Sequence, residues 1–159
     1  MTMQERAAAS GLDDLSARLL GTAFVLSIIH LTDHALRVDH SGWPFRPEVT
    51  PYTYSLLAVP MVLFALFGPR RFFWLRWTLL LFGTLATLYA HIFIETPHVQ
   101  FAMWAHDQSS DPHQQGFHNV PDIRSPALGA ASAIIAMILN VVAVTSTMTM
   151  LVRGVRARG

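Results

Sequence analysis

Cysteine and lysine are both absent from this 159-residue chain, and charged residues of all kinds make up only 13% of it. Without cysteine there is neither a disulfide framework nor a thiolate metal site. The formal net charge at pH 7 is +1, which gives no sign of a basic surface for nucleic acid. Motifs of nucleotide-binding proteins, serine hydrolases and zinc proteases are missing as well. We therefore expect no nucleic-acid partner and no common hydrolase site.

Apolar residues are abundant instead. They make up 52% of the chain, and the mean hydropathy of +0.39 is high for a soluble domain. Four apolar stretches predict membrane-spanning helices at about residues 16–37, 51–67, 72–95 and 127–152, with a long connection at 96–125. The sequence thus predicts an all-α integral membrane protein, a single transmembrane domain over residues 1–159 that folds as a four-helix bundle in the lipid bilayer.

Proline marks several predicted helix boundaries. Thr50-Pro51 and Ser125-Pro126 each place a capping hydroxyl before a proline at the first helical position. The third span should end before Pro97, because the residue preceding a proline disfavours helical backbone angles. Pro60 lies inside the second span and is expected to kink it, since proline cannot donate the helical hydrogen bond.

The arginine distribution predicts the orientation of the bundle. With four spans, both chain termini and the second connection share one side of the membrane, and eight of the eleven arginines lie there. Positive charge accumulates on cytoplasmic segments. We therefore expect both termini in the cytoplasm and the first and third connections on the periplasmic side of the cell (inner) membrane.

This orientation gathers most of the histidines and acidic residues on the outer side of the membrane, where they form what we call the polar cap. All eight histidines and seven of the ten acidic residues fall there. The histidines are His30, His34, His40, His91, His98, His106, His113 and His118. The 96–125 connection either closes over this cap as a lid or remains a solvated loop, with residues 99–105 as a short helix on the bilayer surface.

Two pairs of residues in this cap have the spacing of metal ligands. His30 and His34 lie at i and i+4 on the first span, and His91 and Glu95 have the same spacing on the third. Nitrogen and carboxylate donors without sulfur suit zinc, iron, manganese or oxidised copper. The predicted ligands are His30, His34, His91 and Glu95. Asp33 is expected to be a fifth ligand or to orient the others, and Arg37 to balance charge.

Other interpretations of these residues stay open. Asp33 and Arg37 are also spaced i,i+4 and can form a purely structural ion pair. His30 and His91 could be the axial ligands of a b-type haem, although their acidic neighbours make this less favourable. The function could accordingly be that of an enzyme, a metal- or proton-handling protein, or an accessory subunit of a membrane complex. Transport is disfavoured because few polar residues lie inward of the cap.

A face of small residues runs along the fourth span, formed by Gly129, Ala133, Ala136 and Asn140. Small side chains let membrane helices approach closely, and an asparagine can hydrogen-bond across the contact. Packing within the chain is the favoured interpretation. Contact with a second copy, or with a larger membrane complex, is the alternative.

Overall fold

The computed structural model describes residues 10–37, 56–111 and 116–157. Within these ranges the chain forms five α-helices: α1 (Asp14–Arg37), α2 (Ala58–Phe67), α3 (Phe73–Tyr89), α4 (Pro97–His106) and α5 (Pro126–Arg156). A 3₁₀ turn (Arg70–Phe72) precedes α3, and a π-helical turn (Ala90–Ile94) extends it. The described residues contain no β-strand, which confirms the all-α prediction.

Among the described residues, three helices are long and apolar enough to cross a membrane: Asp14–Arg37, Arg70–Ile94 and Pro126–Arg156. They correspond to the first, third and fourth predicted spans. The second predicted span corresponds to α2, which has only ten residues. The predicted start of this span at Pro51 lies outside the described residues. Pro60 is in the first turn of α2, so the kink at this residue stays a prediction. The four-helix bundle stays a prediction as well.

Large apolar side chains cover the outside of these helices. Val25, Phe82, Phe93 and Val141 are each more than half exposed, which is unusual for a protein surrounded by water. Between the helices, Leu20, Ala65, Leu66 and Met150 are fully buried. An apolar exterior around a packed interior is the arrangement expected in a lipid environment.

The 96–125 connection begins with a regular helix, α4. α4 begins at Thr96-Pro97, where the Thr96 hydroxyl accepts a hydrogen bond from the Val99 N–H at 3.3 Å. One face of α4 is buried, mainly through Val99, Ala102, Met103 and Trp104, and the helix packs on α5 and α1. The predicted short helix thus exists, and its buried face contacts protein.

Gly129 permits the close contact between α4 and α5. A Cβ atom at this position would stand 2.6 Å from the carbonyl oxygen of Phe101. Ala133 and Ala136 follow on the same face and are buried too. The small-residue face is therefore used for helix packing inside the chain, and association of copies through it stays a prediction.

At the opposite end of the bundle, a buried arginine joins three segments. Arg76 is fully buried; it donates to the carbonyl oxygens of Ala65, at 3.1 Å, and Ser10, at 2.8 Å. It thus satisfies the Ala65 carbonyl near the end of α2, which lacks a helical partner, and the Ser10 carbonyl ahead of α1. Nearby, Asp13 pairs with Arg153 at 2.8 Å. Burial tends to raise the pKa of Asp13, but the hydrogen bond from Ser16 and the charge of Arg153 lower it on balance.

The Gly129 contact can be tested by adding one methyl group. Gly129→Ala forces the new Cβ against a backbone carbonyl, so we expect a loss of about 1–3 kcal/mol in the free energy of unfolding. Unfolding of the purified protein by titration with a denaturing detergent measures it. Gly83→Ala is the matched control, because its Cβ would meet only the flexible Met61 side chain at 3.2 Å. Equal stability of both variants would contradict the proposed packing role.

Candidate functional site

Two histidines on different helices face each other inside the bundle. His30 lies on α1 and His91 on the π turn, and their Nε2 atoms are 2.9 Å apart. The ring centroids are separated by 4.6 Å and the ring planes are nearly perpendicular. Both residues are buried, with 7% and 6% of their surface exposed. Two histidines 61 residues apart in the sequence therefore form one hydrogen-bonded imidazole pair.

With the amide oxygen of Asn140 facing His91, the hydrogen-bond network assigns one proton position to each ring of this pair. Asn140 Oδ1 lies 2.9 Å from His91 Nδ1, so Nδ1 donates and the neutral ring has its lone pair on Nε2. His30 must then donate from its own Nε2, which leaves a lone pair on its Nδ1. That Nδ1 is buried and has no hydrogen-bond partner among the described residues.

A second group of ionisable side chains lies one helical turn further along α1. Arg37 is fully buried, and its Nη2 donates to Glu95 Oε2 at 2.9 Å. The other carboxylate oxygen of Glu95 is in contact with His34 Nε2. Buried charges of this kind persist only when they are paired. The Arg37–Glu95 pair joins the end of α1 to the residue that follows the π turn.

Asp33 completes this ionic cluster, which we define as Asp33, His34, Arg37 and Glu95. One Asp33 oxygen accepts from Trp104 Nε1 at 2.8 Å. The other accepts from the Ser132 hydroxyl at 2.7 Å and from Arg37 Nε at 3.1 Å. The predicted Asp33–Arg37 ion pair is confirmed. With three donors on its two oxygens, Asp33 connects α1 to α4 and α5. The cluster holds two carboxylates and one guanidinium, which leaves one formal negative charge for His34 or a bound cation to balance.

Because of the π turn, the two predicted ligands on the third span, His91 and Glu95, contact different partners. Its closing hydrogen bond runs from the Glu95 N–H to the Ala90 carbonyl at 2.7 Å, an i→i+5 pattern. His91 points to His30 and Asn140, whereas Glu95 points to His34 and Arg37. Single π turns of this kind are frequent at functional sites.

Four of the five predicted metal-site residues thus form two adjacent pairs, His30–His91 and His34–Glu95, rather than one converging set. Asp33, the fifth, bonds to Arg37 instead. In the described part of the chain, no three His, Asp or Glu side chains group closely enough to hold one metal ion. His98 and His118 are exposed and bond to Ser110 and Asp107 respectively. His40 and His113 lie outside the described residues.

The described parts of the 96–125 connection lie against the same end of the bundle. Asn119 is almost fully buried, and its amide bonds to the carbonyl of Met103 at 3.1 Å and that of Ile123 at 2.7 Å. The Val120 N–H donates to the Leu36 carbonyl at 2.9 Å. Residues 116–125 are therefore tied to the ends of α1 and α4, next to the ionic cluster.

Some residues of the site were not predicted from the sequence. Trp104 and Ser132 hold Asp33, and Gln100 donates to the Glu95 carbonyl at 2.8 Å. The Thr96-Pro97 pair has the same hydroxyl-then-proline pattern that was used to predict two other helix starts. That signal could have located α4, whereas the partners of Asp33 depend on tertiary contacts.

The ionic cluster should be essential for stability. Arg37→Met leaves two carboxylates without their buried cation, and we expect a loss of about 3–5 kcal/mol in the free energy of unfolding. Adding Glu95→Gln should recover part of it, because an uncompensated charge is removed. A denaturing-detergent titration measures both. The control is Arg18→Met, whose 2.7 Å pair with Asp14 is largely exposed and should contribute nothing measurable. Additive losses in the Arg37/Glu95 double variant would refute the coupling.

Comparison with known proteins gives no similar protein from which a function can be transferred. The chain matches no family model, no curated protein and no solved structure. The arrangement of side chains at this end of the bundle is therefore the basis for the functional proposal.

Proposed function

We propose that the protein is an integral membrane protein that binds a transition-metal ion through His30 and His91. The observation that carries this proposal is the facing pair of Nε2 atoms, 2.9 Å apart, contributed by two different helices. Imidazole nitrogen is the commonest metal donor among neutral side chains. His91 is also held at its second nitrogen by Asn140, as is usual for a histidine that binds a metal.

The spacing of the two nitrogens suits a bare ion better than haem. Metal–nitrogen bonds of about 2.0–2.1 Å at a tetrahedral angle place two ligand atoms roughly 3.3 Å apart. A shift of a few tenths of an ångström from 2.9 Å provides that spacing. Two axial haem ligands stand about 4 Å apart with a porphyrin between them, which needs a larger movement of both helices.

In this proposal, His34 and Glu95 leave their contact with each other and turn towards the histidine pair to supply the remaining donors. His34 and Glu95 follow the two histidines by four residues on their respective segments, and they contact each other. A divalent cation also balances the negative charge that remains in the cluster. Asp33 serves as an orienting residue, because three donors already occupy its oxygens. The donor set suits zinc, iron, manganese or copper(II).

We further propose a four-span topology with both termini in the cytoplasm. In this arrangement α2 belongs to the predicted second span with its bend at Pro60, and the metal site faces the periplasmic side of the cell membrane. The support is the arginine asymmetry together with three described helices of membrane-spanning length. An even number of spans brings both termini to one side.

Metal content tests the proposed site. The protein purified in detergent and dialysed against zinc, copper(II), iron(II) or manganese(II) should hold about one ion per chain by elemental analysis. His30→Ala and His91→Ala should each lower the affinity at least tenfold, since each removes a ligand. His98→Ala is the matched control on an exposed histidine. Substoichiometric metal in the wild type, unchanged in the two variants, would contradict the proposal and favour an accessory subunit; a Soret absorption band would indicate haem.

Single-cysteine labelling tests the topology, because the natural chain contributes no background thiol. Ser110→Cys lies in the third connection and Ala157→Cys follows α5; both positions are exposed. A membrane-impermeant maleimide should label Ser110→Cys in intact cells, and Ala157→Cys only after lysis. The reverse pattern would invert the orientation, and labelling of both in intact cells would rule out an even number of spans with cytoplasmic termini.

A further inference from the structure

A cavity of about 490 Å³ lies between α1, α2, α3 and α5, with His30 and His91 in its wall. Its size is in the range of small-molecule binding sites. Leu31, Met61 and Leu139 are among the residues that line it, so three different helices contribute apolar walls. The ionic cluster contributes none of its side chains to this wall. The cavity is therefore a separate feature on the apolar side of the histidine pair.

The lining excludes a charged occupant. No Asp, Glu or Arg is among the described residues that line the cavity, so an ionic ligand would lack a counter-charge, at high cost in an apolar site. Two lining hydroxyls are already engaged: Thr84 bonds to Thr147 at 2.9 Å, and Thr87 to the Gly83 carbonyl at 2.9 Å. The chemistry of the walls fits a neutral molecule with a mainly hydrocarbon body.

The histidine pair specifies the polar group of that molecule. His30 Nδ1 carries a lone pair, because its Nε2 donates to His91 and His91 donates to Asn140. It is buried without a partner among the described residues, and a buried acceptor left unpaired costs free energy. A hydroxyl group satisfies it, whereas a carbonyl or ether oxygen cannot donate.

We propose that this cavity binds a neutral, membrane-soluble hydroxyl compound, with a phenol or quinol head hydrogen-bonded to His30 Nδ1 and a hydrocarbon tail along α3 and α5. This inference goes beyond metal binding and concerns the metal-free protein. A metal ion on His30 Nε2 would displace the proton there and leave the ring proton on Nδ1, which then could not accept the hydroxyl. The opening of such a site to the bilayer would let the compound enter from the lipid phase.

The probe is 4-octylphenol, compared with 4-octylanisole, which lacks the hydroxyl donor, and with the anionic 4-octylbenzoate. Binding to the purified, metal-free protein is measured by native mass spectrometry and by the ligand-dependent rise in unfolding temperature. We expect one phenol per chain, with an affinity at least about tenfold higher than that of either analogue, because only the phenol is a neutral donor.

Two variants fill the cavity from two different helices, Ala143→Leu on α5 and Gly83→Leu on α3. Both should weaken phenol binding at least tenfold. Ala130→Leu, on an exposed position of α5, is the matched control and should bind like the wild type. Size-exclusion chromatography and circular dichroism identify any variant that fails to fold, and the other variant then provides the test. Metal content, measured on separate samples loaded with metal in the absence of the phenol, should stay unchanged in all three, which separates this proposal from the metal site.

Three results would overturn the inference. Equal affinity for the phenol and the anisole would refute the hydrogen bond to His30. Unchanged binding in the folded cavity-filling variants would show that the phenol binds elsewhere. Tighter binding of the benzoate would refute the argument from the uncharged lining.

Discussion

The buried guanidinium of Arg37 is the interaction on which this end of the molecule depends. It bonds to Asp33 on its own helix and to Glu95 beyond the π turn, and Asp33 is in turn held by α4 and α5 through Trp104 and Ser132. A charge at this depth is tolerated only when its partners are fixed. The same contacts thereby fix the depth of α1 relative to α3, which brings His30 and His91 into register.

The two ends of the bundle use buried arginine differently. Arg76 satisfies backbone carbonyls around Ser10 and Ala65, so it acts as a cap for chain segments. Arg37 pairs with carboxylates and leaves a histidine and a net negative charge beside it. The contacts of Arg76 are of a kind that serves stability only. The contacts of Arg37 also assemble donor groups of the kind that bind metal ions, which is why the proposed function is located there.

Much of this arrangement could be predicted from local sequence patterns. Apolar runs locate α1, α3 and α5, and the spacing of His30, His34, His91 and Glu95 indicates that they share a depth. The i,i+4 rule gives the Asp33–Arg37 pair. The division into two pairs could not be predicted, because the π turn depends on contacts of His91 with α1 and α5. The partners Trp104 and Ser132 are 71 and 99 residues from Asp33, beyond the range of any periodicity.

Polarity falls in steps from the end of α1 towards the middle of the bundle: the ionic cluster, then the neutral His30–His91 pair, then the apolar cavity. The histidine pair is the boundary, and the central claim is that both of its rings bind one metal ion. X-ray absorption spectroscopy of the metal-loaded protein tests this most directly. The account predicts outer-shell scattering from at least two imidazole rings, with one ring fewer in His91→Ala. A bound metal without imidazole scattering would contradict it.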